Sequence, residues 1–446
     1  MTGARQKGML LVCTLAASLA AAAALTAAEP MVVTESNLAT QSGLLVPAGT
    51  AYDSGVLPAD ARYFAAPGAY PPNRFISYPK TTVPVSPWYF AADAVALKRD
   101  PDGDRPFAAL GTREWEEDGG VWESTDTRTI VLGTQNFDFD FAGGGRAVIG
   151  RRLGDWYAVE VSYMQVNSWR EAAAVRDDSV FVAEVDDTTG DPTAEYVGSL
   201  FSPFSDFGDP PVLGLDYNNL VSIDSFSEFY DFEFNLRRTI TMPPDRLQVS
   251  LLVGGRYMNI GERFSYFSSS YYPPNLPTPG VPPNPALTTT NDVRLTAGNT
   301  LLGAQIGAFF EFYVDPGWWI DFEIKGVIFD NRASQRSAGS ITTAIETRDV
   351  DGFIDGYVVT NSPVNNTRVE ENHTAGALDL DLTLSWQVNS WLTGRIGYRA
   401  LWIDGLALAS ENFQTDVGLL TLGPPQLNTD GKVVYHGPHI GLTGAW

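Results

Sequence analysis

The sequence predicts an all-β fold: an antiparallel up-and-down transmembrane β-barrel of about ten strands, with twelve as the alternative. Three observations predict it. Segments of strand length carry one apolar and one charged column, connections alternate between short and long, and tryptophans gather at the short-connection end.

The first thirty residues set the compartment. Arg5 and Lys7 precede an apolar run from Met9 to Leu25, which Thr26, Ala27 and Ala28 close before Glu29-Pro30. A basic start, a short apolar stretch and a small-residue exit make 1–28 a secretory signal peptide, cut after Ala28. A run this short and this rich in Ala is a poor membrane anchor. Cys13, the one cysteine, lies inside the run and follows Val12, which does not suit lipidation, so the mature chain has no disulfide or thiol chemistry. Residues 29–86, rich in Ala, Pro, Ser, Thr and Gly, read as a flexible periplasmic lead-in, and 87–446 as the barrel. Net charge is −24, and loss of Arg5 and Lys7 makes it −26, which excludes nucleic acid as a partner. Past the leader no stretch approaches about 18 consecutive apolar residues, so any membrane crossing is made by strands.

The alternation is clearest where Tyr230, Phe232, Phe234 and Leu236 interleave with Asp231, Glu233, Asn235 and Arg237. Side chains on a strand alternate faces, so one face is greasy and the other charged. The same split recurs within 157–163, 247–257, 305–312, 320–328, 378–385 and 392–402. The apolar columns hold no charge. The facing, lumen-side columns hold Glu160, Asp231, Glu233, Arg237, Arg256, Glu311, Asp321, Glu323, Lys325, Asp379, Asp381, Arg395 and Arg399.

A soluble sandwich would tolerate such strands, but its Greek-key connections have no reason to alternate in length. Here Gly154-Asp155, Ile240–Arg246, Asp315-Pro316-Gly317 and Asn389-Ser390 are short, while 99–142, 167–225, 261–299, 331–374 and 404–432 are long. Short periplasmic turns and long outer loops are how outer-membrane barrels are built. The tally is a first strand near Trp88–Leu97, hairpins at Gly143–Met164, Phe226–Ile260, Thr300–Asp330 and Ala375–Ile403, and a last strand at Val433–Trp446. Thr129–Gln135 and Phe137–Phe141 would supply the extra hairpin of a twelve-stranded barrel. Trp88, Trp156, Trp318, Trp319, Trp386, Trp391 and Trp446 sit beside short turns or chain ends, as an interfacial girdle against outer-membrane lipid requires. Ile440, Leu442 and Gly444 alternate back from Trp446, a closing strand of the kind the barrel assembly machinery would receive.

Trp88–Asp100 (WYFAADAVALKRD), residues 251–264 (LLVGGRYMNIGERF), Tyr398–Ala409 (YRALWIDGLALA) and Tyr435–Trp446 (YHGPHIGLTGAW) resemble the β-barrel porin family of planctomycetes numbered seven. The resemblance covers most of Trp88–Trp446. It implies an outer-membrane porin of a Gram-negative-type envelope and brings no catalytic residues with it.

Of three histidines, His436 and His439 lie three apart and so on opposite faces. His373, near Glu370 and Glu371 at an outer loop, is the one opening for a hydrolase of omptin type. No serine-hydrolase, phosphate-loop or Cys/His metal motif is present. Asp100-Pro101-Asp102-Gly103-Asp104 and Asp349-Val350-Asp351-Gly352 lack calcium-loop spacing and read as solvated acidic loops. The expectation is no cofactor, no metal and no enzyme. The inward charges then admit two readings. In a channel they form acidic and basic walls and, with acids in excess, favour cations. In a plugged barrel they pair with one another, because unpaired buried charge is costly. Eight strands leave an interior just filled by side chains, and open pores need about 16, so ten sits nearer the plugged end. Porin-like passage of small solutes with cation preference, a non-conducting surface barrel and an omptin-type hydrolase are the functions in that order.

Overall fold

A computed structural model describes residues 87–100, 103–118, 121–154, 156–185, 189, 192–241, 247–274, 285–315, 317–348, 354–415 and 426–446. The signal peptide, the lead-in, most of the Ile240–Arg246 turn, Pro101-Asp102 and 349–353 lie outside the described residues.

Fifteen strands follow in chain order: β1 (Trp88–Asp100), β2 (Pro106–Asp118), β3 (Val121–Gly133), β4 (Ala142–Leu153), β5 (Tyr157–Arg176), β6 (Val180–Val185), β7 (Pro192–Val197), β8 (Leu200–Phe201), β9 (Asn218–Thr241), β10 (Leu247–Tyr272), β11 (Leu287–Asp315), β12 (Trp318–Arg348), β13 (Ile354–Gln387), β14 (Leu392–Leu406) and β15 (Gly431–Ala445). Ten of them close a ring in the order β1, β4, β5, β9, β10, β11, β12, β13, β14, β15, every pair antiparallel. The ring shuts where Tyr89 faces Ala445 and Asp100 faces Val434. Closure leaves the backbone groups of the membrane-facing wall no free edge, which is the condition for crossing lipid with strands. The twelve-stranded alternative does not occur. β3 pairs with β2 outside the ring, and 137–141 is not strand.

The lipid face is an outward apolar band. On β12 it runs from Trp318 to Ile328, and the neighbouring strands continue it with Leu302, Ile306, Leu378, Leu382, Trp402 and Ile440. Ten steps of about 3.3 Å at a tilt near 40° rise about 25 Å, the height of a barrel's apolar band. Trp88, Trp156, Trp318, Trp391 and Trp446 are exposed at its short-turn rim, and Trp318 stacks on Trp386 at 5.8 Å between centroids. Trp319 departs from the girdle assigned to it. It follows Trp318 on a strand, so it must point the other way, and it is 2% exposed inside the lumen.

The long connections are less loop-like than their composition indicates. β10 and β11 stay paired out to Tyr272 and Leu287, and β12 and β13 out to Arg348 and Ile354. Past the band the alternation continues with its sense inverted. On β10, Met258, Ile260, Phe264 and Tyr266 point in and are fully buried, while Arg263 is exposed. On β12, Val327 and Phe329 point in, while Asp330 and Arg332 point out. A search for apolar-out, charged-in columns stops at that inversion and reads the rest as loop.

Candidate functional site: a lumen in two layers

All thirteen charges assigned to the lumen lie on the inward columns. Their middle tier is a neutral belt of three carboxylates and three cations. Arg256 donates Nε and a terminal nitrogen to the two oxygens of Asp231 at 2.9 and 2.7 Å, and its other terminal nitrogen to Asp379 at 2.8 Å. Lys325 Nζ donates to both oxygens of Glu233 at 3.2 and 3.1 Å. Arg399 Nε donates to Asp379 Oδ1 at 2.9 Å, and Gln305 Nε2 adds a bond to Glu233 at 2.9 Å. Arg256 is buried outright, and the rest of the belt is nearly so. Charges this deep are stable only when paired and hydrogen-bonded, which these are. The belt also crosses the lumen. Arg256 spans from β10 to β13, and Arg399 reaches from β14 to Met164 Sδ on β5, 3.6 Å away.

Below the belt, toward the short turns, the lumen opens into a polar cavity of about 90 Å³. A second of about 40 Å³ lies nearer the turns and shares Tyr89, Glu160, Arg237 and Phe309 with the first. Arg237 donates to Glu160 at 3.0 Å and Glu323 at 3.4 Å, and lies 4.3 Å over the Phe309 ring, which narrows the passage between the two. Arg395 donates to Asp93 at 2.9 Å. Asp381 accepts from Thr383 Oγ1 at 2.6 Å and lies 3.1 Å from His439 Nε2. Ser385 Oγ donates to Asp321 Oδ2 at 2.7 Å, and Glu311 stands directly across the strand pair from Asp321.

Above the belt the interior is mainly apolar. Phe107, Phe204, Phe264, Tyr266 and Phe413 interlock, with Phe413 within 5.2–5.6 Å of the other four ring centroids. Three of the long connections fold inward to build this stopper. Asn299 clamps one of them, donating to Ala407 O at 2.9 Å and accepting from Ala407 N at 2.8 Å, and Asn331 Nδ2 donates to Gly405 O at 2.9 Å. Arg105 ties the segment before Phe107 to the carbonyls of Ser410, Glu411 and Phe413. One ion pair crosses the stopper: Arg99 on β1 meets Glu262 on β10 at 2.6 Å, with Glu262 also accepting from Ala409 N at 3.0 Å.

Asp93, Arg99, Arg146, Arg152 and Glu262 are inward charges absent from the sequence assignment. They raise the inward acids from eight to ten and the bases from five to eight, which lowers the acidic excess from three to two. Most sit on β1 and β4, whose outward columns include the small residues Ala92, Ala94, Gly145 and Ala147. Small outward residues give little apolar contrast, and the charges behind them go unseen. Of the residues of the hydrolase reading, Glu371 shares the face of His373 on β13, but His373 and Glu370 are not brought together. They fall on opposite faces of β13, and Glu370 is held by Arg332 at 2.6 Å and by Arg368. Among the described residues no three His, Cys, Asp or Glu side chains are grouped to hold a metal.

A closed ten-stranded ring with a lipid-facing apolar band and a charged interior defines a membrane-spanning β-barrel. Residues 108–446 match the family described as "Putative beta barrel porin-7", and the chain belongs to that family. No curated protein sequence matches it. Among solved structures it is similar to the outer membrane protease OmpT from Escherichia coli (12% identity, TM-score 0.34, covering 82% of this chain and 99% of that one). It is also similar to the toluene transporter TbuX of Ralstonia pickettii (8%, TM-score 0.22, 81% and 90%) and to a FadL homologue of Pseudomonas aeruginosa (11%, TM-score 0.19, 80% and 89%).

Proposed function

We propose that the protein is an exported outer-membrane barrel, its short turns in the periplasm, and that its lumen is shut in this conformation. It acts at the surface as a non-conducting barrel. The belt carries this reading: Arg256, Asp231, Glu233 and Asp379, each no more than 2% exposed, bridge the lumen, with an aromatic stopper above them. A hydrated ion meets two consecutive barriers of different chemistry. Porin-like passage of small solutes is the second reading, supported by the family and by the polar cavities below the belt. It requires both barriers to move, and the remaining excess of inward acids over bases would then favour cations.

Planar-bilayer recording on the purified, refolded chain separates the two. The shut barrel gives no discrete conductance steps. Steps whose reversal potential shows cation selectivity, weakening as salt shortens the screening length to a few ångströms, would establish passage instead.

A further inference from the structure

We propose that the short-turn half of the lumen is a binding site for a small zwitterion, a carboxylate and an ammonium group a few bonds apart, as in a free α-amino acid. The site goes beyond the question of conduction, since it lies wholly below the belt and exists whether or not the belt moves.

Six buried polar atoms on the 90 Å³ cavity have no partner: the Nε atoms of Arg146 and Arg237, and a group of four, Trp319 Nε1, Thr393 Oγ1, Arg395 Nε and Asp321 Oδ1. The strand register places them together. Trp319 faces Ser385 across β12–β13, and Ser385 faces Arg395 across β13–β14, so the three form one row. Thr393 lies two positions from that row on its short-turn side and Asp321 two positions on the belt side, both on the same inward columns. Each unpartnered buried atom destabilises the fold unless something in the cavity pairs with it.

The chemistry of the four atoms selects the occupant. Trp319 and Arg395 can only donate, and Thr393 donates readily, so three donors converge on one side. A carboxylate, with about four lone-pair sites and no donor, suits them. Asp321 spends Oδ2 on the Ser385 hydroxyl and keeps Oδ1 for a donor. A primary ammonium, donor only, suits that. An anion alone would face the Asp321 carboxylate, and a cation alone would leave three donors unmet. The lining agrees, with four cationic side chains and four carboxylates, so a ligand of no net charge buries no surplus charge. Trp319, turned inward where its neighbour Trp318 faces lipid, is the residue that gives the site its apolar floor.

Titration calorimetry of the refolded full-length chain with glycine tests this, with acetate and methylamine as half-ligands. Glycine should give saturable binding that neither half-ligand matches at equal concentration. Trp319→Phe, which removes one N–H and keeps a ring, should weaken glycine about fivefold, the equivalent of one hydrogen bond. Asp321→Asn should weaken it about tenfold, with acetate unaffected. Absence of saturable glycine heat, equal binding of acetate or methylamine, or glycine binding indifferent to Trp319→Phe would each overturn the proposal. Trp319→Phe decides the matter even if Asp321→Asn fails to refold.

Discussion

The two halves of the lumen obey opposite rules. In the half that crosses lipid, apolar residues such as Phe232 and Ile306 point out, and charges such as Asp231 and Lys325 point in. In the half beyond, Phe264 and Phe329 point in, and Arg263 and Asp330 point out. β9 to β13 run through both. What changes is the solvent: against lipid the hydrophobic effect leaves the interior free to be polar, and against water it demands an apolar core. The inversion, near Ile328 on β12, marks where the bilayer ends.

The largest expected effect tests whether the lower half is dry. Arg256→Met strands Asp231 without its bidentate cation and leaves Asp379 to Arg399 and Lys325 alone, and the barrel should lose about 3–5 kcal/mol, read as a lower urea midpoint for the loss of the compact band on gels. A loss under about 1 kcal/mol would mean that water already screens the belt, and the two halves would differ less than their contacts indicate.

Phe413→Ala should come next. It removes a ring at the centre of the stopper and leaves a cavity where nothing else can collapse, at about 3 kcal/mol. The same preparation should remain free of conductance steps, because the belt below is untouched. Steps appearing in this variant alone would make the stopper the gate and the belt a lining.

The smallest effect lies outside the barrel. Arg113 on β2 donates to both oxygens of Asp126 on β3, at 2.5 and 2.6 Å, and to Ala183 O at 2.6 Å. Its guanidinium holds the Asp126 carboxyl below the usual carboxylate range. A depressed folded pKa stabilises the paired form above the unfolded value of 3.8, and that contribution is lost as pH falls through the lower folded value. The pair is part-exposed, so the change is about 0.5 kcal/mol. Amide protection in β2 and β3 should fall between pH 4 and the folded pKa, while protection in β9–β14 holds. Equal loss in both would tie the hairpin to the barrel as one cooperative unit.

How much was legible follows from the same division. The ten ring strands, their partners and the faces of the thirteen lumen charges were readable, because lipid enforces the sharpest contrast a strand can carry. The outer half was not. Phe264 and Tyr266 alternate with Arg263 and Ser265 as regularly as anything below, but in the sense of a soluble protein, so by the lipid-facing pattern the segment reads as loop. Asn299 and Asn331 left no trace either, since an amide that clamps a backbone 108 or 74 residues away looks like any polar residue on a strand. The pairing of Asp381 with His439 joins β13 to β15 across an intervening strand, and no spacing along the chain encodes it.

β12 continues for twenty residues past Ile328, to Arg348, with β13 bonded along its side. At about 3.3 Å per residue and the barrel's tilt that is roughly 50 Å of rise, against the ~6 Å that a headgroup layer occupies. The hairpin is therefore a mast rooted in the membrane, stiffened by its ladder and asymmetrically mounted, since β1, β14 and β15 stop far lower. A load applied at its tip acts on a lever about twice as long as the membrane anchorage that resists it. The wall that bears that torque is the one where Lys325 and Asp379 tie β12 and β13 into the belt.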